Sequence, residues 1–174
     1  MRWKIAPLDN SHERNKFDCG QPRLNEYLQK YAMQNIKKGY AMAFVATPLE
    51  SKAVVGYYSA SASSIEFVNL PEVVRKGLPK YPAPAMLIGQ LAVDREMQGQ
   101  GLGDVLLMHA LSRAVRVASE MAIFAVRVDA SDEPARNFYL RYGFVALQDA
   151  PLSLLLPIKT IQESMKALNG HFSR

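Results

Sequence analysis

The sequence predicts an α/β (α+β) fold in which a single mixed β-sheet is flanked by helices. Strand-like apolar runs rich in β-branched and aromatic residues alternate with helix-length segments whose apolar residues follow helical spacing. A glycine-rich turn joins one such run to a helix, and no internal repeat or low-complexity tract interrupts the pattern. Because 174 residues can bury a proper core, we expect a single domain over residues 1–174.

The first half of the chain predicts a helix, a hairpin and an irregular insert. Pro22 begins a helix whose apolar positions recur at helical spacing, and Gly39 lies just beyond its end. Residues 41–47 and 54–61 are predicted strands, joined into a hairpin by the turn at 48–52. Four prolines then mark an irregular insert: Pro71, Pro79, Pro82 and Pro84.

The second half predicts strands and helices in alternation. One helix starts at Ser131-Asp132-Glu133-Pro134, which supplies a polar cap and a proline in the first turn, and it stops at Gly143. The remaining predicted helices are residues 102–118 and 158–168. The predicted strands are residues 85–93, 122–130, 144–147 and 152–157.

Composition and charge restrict the cellular compartment and the kinds of partner that we expect. The formal net charge is +5 and the isoelectric point is about 9.3, which points weakly to a polyanionic partner. Cys19 is the only cysteine, so an internal disulfide is excluded and a reducing cytoplasm is expected. The first residues lack the apolar core of a signal peptide, and no apolar run is long enough to cross a bilayer, so no membrane partner is expected.

The most informative segment is the turn Gln98-Gly99-Gln100-Gly101-Leu102-Gly103, which lies between a strand-like run and an apolar helix. Glycine lets the backbone approach a ligand closely, and amide N–H groups at the positive end of a helix dipole bind phosphate. A Rossmann fingerprint would need glycine at Leu106, and a P-loop would need Lys-Ser/Thr after Gly103. The turn therefore predicts an enzyme that holds the pyrophosphate of another phosphorylated cofactor.

This hexapeptide resembles the Gln/Arg-x-x-Gly-x-Gly/Ala signature of the GNAT acetyltransferases, which hold the pyrophosphate of acetyl-CoA on such a turn. About one βα unit later, residues 135–144 resemble the family's Ala-x-x-Phe-Tyr-x-x-x-Gly-Phe signature. The resemblance implies the GNAT acyl-CoA N-acyltransferase fold, acetyl-CoA as cofactor and no metal. The expected cofactor contacts are Leu91, Ala92, Val93, Gln98, Gly99, Gln100, Gly101, Leu102, Gly103, Asp104 and Asn137.

The chemistry requires a held thioester carbonyl and a proton for the leaving thiolate. Backbone amides of the strand that ends at Val93 can bind the carbonyl and steady the developing oxyanion. The resemblance makes Tyr139 the catalytic residue, whose phenol donates a proton to the CoA sulfur. The alternative is that Tyr139 is a core aromatic, because Phe138, Tyr142 and Phe144 surround it in sequence.

None of the three histidines, His12, His109 and His171, is an evident general base, and we expect a structural role for His109. A lysine amine, with a reference pKa of about 10.4, is almost wholly protonated at neutral pH and benefits from a base. An α-amine, with a pKa of about 7.7–8.0, is already partly neutral. The sequence therefore favours an α-amine acceptor, although a base that acts through water stays open.

A closer resemblance extends from about Phe17 to Leu156. The segments that carry it are Phe17-Asp18-Cys19-Gly20, Leu24-Asn25-Glu26-Tyr27-Leu28, residues 54–59, residues 78–82 and residues 88–94. In this order they resemble the GNAT toxins of bacterial type II toxin–antitoxin pairs, the TacT and AtaT group. Gln90 departs from the pattern, since many members of this group carry arginine there.

That resemblance implies acetylation of the α-amino group of aminoacyl-tRNA, which blocks translation. It also implies a ribbon-helix-helix antitoxin as partner, transcription repression at operator DNA through the antitoxin complex, and a homodimer. Basic residues that could contact tRNA phosphates are Lys37, Lys38, Arg75, Lys76, Lys80, Arg136 and Arg141. For each of them alone, a solvated surface position is the alternative.

Three other functions stay open at this point. A GNAT enzyme could act on a protein N-terminus or a small-molecule amine, with the same turn and the same tyrosine but no tRNA surface. A non-catalytic acyl-CoA-binding module would not need Tyr139. A plain nucleic-acid-binding protein would need a recognition motif, and the sequence offers none.

Overall fold

The computed structural model describes residues 2–171, the last of them by its backbone alone. Within this range there are seven strands: β1 (Trp3–Pro7), β2 (Met42–Pro48), β3 (Gly56–Ile65), β4 (Ala83–Val93), β5 (Ala125–Asp129), β6 (Val145–Leu147) and β7 (Ala150–Pro157). The α-helices are α1 (Pro22–Glu26), α2 (Ala32–Lys38), α3 (Glu72–Arg75), α4 (Leu102–Ala118), α5 (Glu133–Leu140) and α6 (Ile158–His171). A π-helical turn, Tyr27–Tyr31, joins α1 to α2.

The strands form one sheet in the order β1-β2-β3-β4-β5-β7-β6. Strand β2 is antiparallel to both β1 and β3, and β7 is antiparallel to both β5 and β6. Phe44 pairs with Tyr58 across the first hairpin, and Val126 pairs with Leu156 near the other end of the sheet. The prediction of a mixed sheet flanked by helices is confirmed.

The Cα positions group the chain into two compact units, and the first comprises the residues up to Ser61 together with Ile88–Ala110. Its core centres on Tyr57, which is fully buried. The Tyr57 hydroxyl donates to the carbonyl of Leu24 at 2.7 Å, and its ring lies 6.2 Å from that of Tyr27 and 5.5 Å from that of Phe17. This contact fixes α1 on one face of the hairpin formed by β2 and β3.

Helix α4 covers the opposite face of the same strands. A Cβ at Gly56 would lie 3.0 Å from Leu102 Cδ2 and from Leu106 Cδ1, so glycine is needed for the close approach of α4 to β3. Two residues further along β3, the Tyr58 hydroxyl is hydrogen-bonded to His109 Nδ1 at 2.8 Å. This hydrogen bond and the close approach at Gly56 hold α4 against β3.

The second unit comprises Ala62–Leu87 together with the residues from Leu111 onward. One of its apolar clusters gathers the buried side chains Ile65, Leu70, Ala85, Ala125, Leu147 and Leu155. Helix α5 begins where the sequence predicts, because the Asp132 carboxylate accepts a hydrogen bond from the Ala135 amide at 2.9 Å. The chain turns out of this helix at Gly143, which has φ = 88°.

Several elements differ from the prediction in extent. Strand β1 was not predicted: it has only five residues, ends in proline and lies at the sheet edge. The π-helical turn interrupts a helix predicted to be continuous, and the proline-rich insert contains α3 and a 3₁₀ turn, Phe67–Asn69. Strand β4 includes Pro84, whose carbonyl accepts a hydrogen bond from the Phe124 amide at 2.8 Å.

Of the helices described, none is both long and apolar enough to cross a membrane.

Candidate active site

The glycine-rich turn lies between β4 and α4, as predicted, and its backbone is open to solvent. Gly99 and Gly101 have φ angles of 76° and 87°, which L side chains adopt only with strain. A Cβ at Gly99 would meet no atom within 4 Å, and one at Gly101 would meet only Asp104 Oδ2 at 3.9 Å. The turn is thus an exposed stretch of backbone at the N-terminus of a 17-residue helix, which suits an anionic pyrophosphate.

Both glutamine side chains of the turn bind backbone carbonyls. Gln98 Nε2 donates to the carbonyl of Val93 at 2.9 Å and to that of Cys19 at 3.1 Å. Gln100 Nε2 donates to the carbonyl of Glu96 at 3.0 Å. These side chains therefore set the shape of the turn, and the backbone amides are the groups it can offer to a ligand.

A cation beside the turn, Arg2, was not predicted from the sequence. Arg2 Nη2 donates to Gln100 Oε1 at 2.6 Å, and the Arg2 guanidinium lies 5.0 Å from the centre of the Trp3 ring. An arginine almost a hundred residues away in sequence gives no local signal. Arg2 directly precedes β1, whose first residue Trp3 pairs with Pro48 at the end of β2.

The end of β4 is anchored by Asp94. Its backbone amide donates to the carbonyl of Val55 at 2.9 Å. One carboxylate oxygen accepts from the amide of Glu96 at 3.0 Å, and the other accepts from the amide of Asp18 at 3.0 Å. Asp94 therefore caps the short 3₁₀ turn Arg95–Met97 and fixes the direction in which the chain enters the glycine-rich turn.

The expected thioester-binding stretch, Leu91, Ala92 and Val93, ends β4. Ala92 is buried in the core of the first unit, whereas the two flanking side chains are half-buried. Just before it, the amide of Gln90 donates to Ser59 Oγ at 3.1 Å, and the Ser59 hydroxyl donates to Gln90 Oε1. The unusual Gln90 thus makes a side-chain contact within the sheet, between β3 and β4.

Tyr139 lies on α5 in the second unit and is 6% exposed. Its ring lies 5.2 Å from that of Phe138 and 5.4 Å from that of Phe144. Burial raises the pKa of the Tyr139 phenol above its ordinary value of 10.0, because the low-dielectric surroundings disfavour the phenolate. The phenol therefore carries its proton throughout the physiological range. Asn137, two residues earlier on the same helix, is exposed.

The seven basic residues predicted to contact tRNA phosphates are of two kinds. Four are exposed lysines, and three are arginines that contact other residues of the protein. The four lysines are exposed: Lys37, Lys38, Lys76 and Lys80. Arg136 donates to the carbonyl of Pro151 at 2.8 Å, and its guanidinium also lies 3.7 Å from Glu133. Arg75 is paired with Glu72 at 3.6 Å, and Arg141 lies 5.6 Å from the centre of the Phe138 ring. The lysines are therefore better placed than the arginines to receive phosphates.

Metal-ligating side chains do not cluster in the described part of the chain: no group of three or more His, Cys, Asp or Glu residues there could hold a metal ion. The residues gathered at the turn are instead amide donors and polar side chains. Their chemistry fits a phosphorylated ligand.

Comparison with known proteins identifies the family. Residues 8–144 match the model of the Acetyltransferase (GNAT) family. A tRNA-acetylating toxin of Mycobacterium tuberculosis is 35% identical over 152 residues, which are 87% of this chain and 90% of the relative. A probable toxin TacT of Sinorhizobium fredii is 32% identical over 170 residues, which are 92% and 94% of the two chains.

Solved structures of toxins of this kind are similar to this chain over most of its length. AtaT complexed with acetyl-methionyl-tRNAfMet is 28% identical, with a TM-score of 0.87 over 94% of this chain and 99% of that one. A mutant AtaT bound to acetyl-CoA and the C-terminus of the antitoxin AtaR is 25% identical, with a TM-score of 0.81 over 95% and 99%. The KacTA–DNA complex is 28% identical, with a TM-score of 0.81 over 95% and 99%.

These findings confirm the predicted resemblance to GNAT toxins of the TacT and AtaT group, the predicted fold and the predicted cofactor, acetyl-CoA. The family model covers most of the chain, and a relative above 30% identity spans nearly all of it. The chain therefore belongs to the acetyltransferase (GNAT) family and is an acetyl-CoA-dependent N-acetyltransferase.

Proposed function

We propose that this protein is a toxin that transfers acetyl from acetyl-CoA to the α-amino group of aminoacyl-tRNA and so blocks translation. The observation that carries the proposal is the likeness, over nearly the whole chain, to a tRNA-acetylating toxin and to AtaT complexed with acetyl-methionyl-tRNAfMet. An N-acetylated aminoacyl group has lost the free amine that peptide-bond formation requires. Acetylation of this amine therefore removes charged tRNA from translation.

Acetyl-CoA supplies the acetyl group as a thioester. In our proposal the backbone amides from Gln98 to Asp104 hold the pyrophosphate, and those of Leu91, Ala92 and Val93 bind the thioester carbonyl. Two features support the first assignment: the glutamine side chains are bound to backbone carbonyls, and open space faces Gly99 and Gly101. Asn137, exposed on α5, is proposed as a further cofactor contact.

Tyr139 is the proposed general acid. Transfer forms the new N–C bond and breaks the C–S bond. The attacking nitrogen loses a proton to solvent, and the leaving thiolate gains one. The buried phenol carries its proton at neutral pH, which is the state that a general acid needs at the start of the reaction. The amine needs less help, since an α-amine with a pKa of about 7.7–8.0 is partly neutral without a strong base.

The tRNA surface is proposed to comprise the exposed lysines and, more weakly, the three arginines. Lys37 and Lys38 end α2, and Tyr40, 75% exposed, follows the helix-ending Gly39. An exposed aromatic beside two cations matches a common RNA-binding arrangement, in which a base stacks on the ring while lysines meet phosphates. Lys76 and Lys80 add cations in the proline-rich insert.

The partners and setting follow from the same likeness. We propose that a ribbon-helix-helix antitoxin neutralises the toxin, that the pair represses transcription at operator DNA, and that the toxin is a cytoplasmic homodimer. The AtaT–AtaR and KacTA–DNA structures support an antitoxin and DNA as partners. We also propose that the chain folds as a single domain, since one family model spans residues 8–144.

The acceptor is tested by incubating the protein with labelled acetyl-CoA, charged tRNA, a mixture of peptides with free N-termini, and polyamines. We expect label on the aminoacyl group of tRNA, identified by mass spectrometry after nuclease digestion. Label on peptides or polyamines, with none on charged tRNA, would contradict the proposal and favour a general GNAT activity on such amines.

The RNA surface is tested by the double variant Lys37→Glu/Lys38→Glu. It should bind tRNA more weakly and with a shallower salt dependence, because fewer counterions are released per complex. The matched control is Lys159→Glu/Lys166→Glu, which makes the same charge change at two exposed lysines of α6. If both variants weaken binding equally, Lys37 and Lys38 form no specific tRNA surface.

The cofactor turn is tested by Gly101→Asp against Gly101→Asn. Both side chains meet the same strain at φ = 87°, but only aspartate brings a negative charge to the proposed pyrophosphate site. Like unit charges about 4 Å apart near a protein surface repel by a few kcal/mol before salt screening, so aspartate should bind acetyl-CoA at least about tenfold more weakly than asparagine. Equal affinities by calorimetry would mean that the pyrophosphate lies elsewhere.

The general acid is tested by Tyr139→Phe, with Tyr142→Phe as the control. Loss of the proton donor should lower kcat by about 10²–10⁴-fold and leave the Kd for acetyl-CoA unchanged. In the unaltered protein, kcat should not fall as the pH rises toward 10.0, because the raised pKa keeps the phenol protonated past its ordinary value. A Tyr139→Phe enzyme with nearly full kcat would make Tyr139 a packing residue.

A further inference from the structure

The chain segment Asp18–Cys19 contacts the entry to the glycine-rich turn directly. The amide of Asp18 donates to the Asp94 carboxylate at 3.0 Å, and its carbonyl accepts from the amide of Arg95 at 2.9 Å. The carbonyl of Cys19 accepts from Gln98 Nε2 at 3.1 Å. Both residues belong to the N-terminal loop, residues 8–21, which joins β1 to α1. These two consecutive residues thus contact three residues of the segment that leads into the turn.

The same two residues are fixed from their other side by α1. Asn25 Oδ1 accepts from the amide of Cys19 at 2.9 Å, and Asn25 Nδ2 donates to Asp18 Oδ1 at 2.8 Å. That oxygen also accepts from the amide of Gly20 at 2.9 Å. The side-chain amide of Asn25 therefore holds the loop by one donor and one acceptor, and Asp18 folds the loop back on itself.

The ion pair in this network contributes the least. Arg95 Nη1 lies 3.3 Å from Asp18 Oδ2, and the two side chains are 63% and 49% exposed. Exposed pairs of this kind stabilise little because water screens them. The hydrogen bonds to the Gly20 amide and to Asn25, which also lower the pKa of the Asp18 carboxyl, are the contacts that define the loop.

We infer that Asp18 and Asn25 form a positioning unit for the acetyl-CoA site, which holds the N-terminal loop so that it clamps the glycine-rich turn in its binding conformation. Neither side chain is proposed to touch the cofactor. Both act through the backbone of Asp18 and Cys19 on Asp94, Arg95 and Gln98. The role accounts for two of the sequence segments that carry the toxin resemblance but had no function assigned, Phe17–Gly20 and Leu24–Leu28.

The inference rests on the proposed placement of acetyl-CoA on the turn and predicts a selective effect on that substrate. If the turn samples several conformations, the apparent Kd rises by the inverse of the competent fraction. Asp18→Ala should therefore raise the Kd and the KM for acetyl-CoA by about tenfold, which corresponds to a turn that is competent in about a tenth of the molecules. The KM for charged tRNA, and kcat at saturating acetyl-CoA, should stay unchanged.

Asp9→Ala is the matched control. Asp9 is also a carboxylate of the N-terminal loop that accepts local hydrogen bonds, from the amide and hydroxyl of Ser11 at 2.8 and 2.6 Å. Among the described residues its side chain otherwise contacts His12, at 3.2 Å. It should leave the acetyl-CoA Kd unchanged. Asp18→Asn keeps an oxygen for the Gly20 amide and should recover part of the affinity.

Whether Asp18 and Asn25 act as one unit is tested with Asn25→Ala alone and with the double variant Asp18→Ala/Asn25→Ala. Residues that act through one contact are not additive, so the double variant should lose about as much acetyl-CoA affinity as the worse single variant. An unchanged acetyl-CoA Kd in folded Asp18→Ala would overturn the inference, as would equal rises in KM for both substrates or fully additive losses. Calorimetry with acetyl-CoA alone needs no acceptor, so a failure of the proposed tRNA activity would be seen separately.

Discussion

The conformation of the glycine-rich turn depends on how Asp94 is held. Its carboxylate binds two backbone amides, those of Glu96 and Asp18, while its own amide binds the carbonyl of Val55. An exposed glycine-rich turn has many accessible conformations and loses much entropy when it is fixed. Contacts from Val55, just before β3, from the 3₁₀ turn and from the N-terminal loop converge on Asp94 and restrict the entry to the turn before a ligand binds. Such preorganisation improves affinity.

The proposed chemistry divides between two kinds of group. In the proposal, backbone amides bind the permanent charge of the pyrophosphate and the charge that develops on the carbonyl, and they require no change of protonation. In the proposal, the buried phenol of Tyr139 supplies the proton that the leaving thiolate gains, and burial keeps the phenol protonated at neutral pH. A strong base is not needed when the acceptor is an α-amine, so the absence of an evident histidine base in the sequence agrees with an aminoacyl acceptor.

Local patterns predicted the elements with strong local signals and missed those defined by distant contacts. Helix α4, the Asp132 cap and the turn were all anticipated, because apolar spacing, capping and glycine act within a few residues. Strand β1 was missed since five edge residues carry little pattern. The roles of Arg2 and Asp18 could not be read from spacing either, because their contacts, Gln100 and Asp94, lie far along the chain.

The central claim is that acetyl-CoA binds on the turn and that the turn and the N-terminal loop form one unit. Hydrogen–deuterium exchange of the unaltered protein, with and without acetyl-CoA, tests it most directly. The account predicts that amides of residues 98–104 and those of residues 18–25 gain protection together when acetyl-CoA is added. Protection elsewhere with no change at residues 98–104, or protection of the turn with none at residues 18–25, would contradict it.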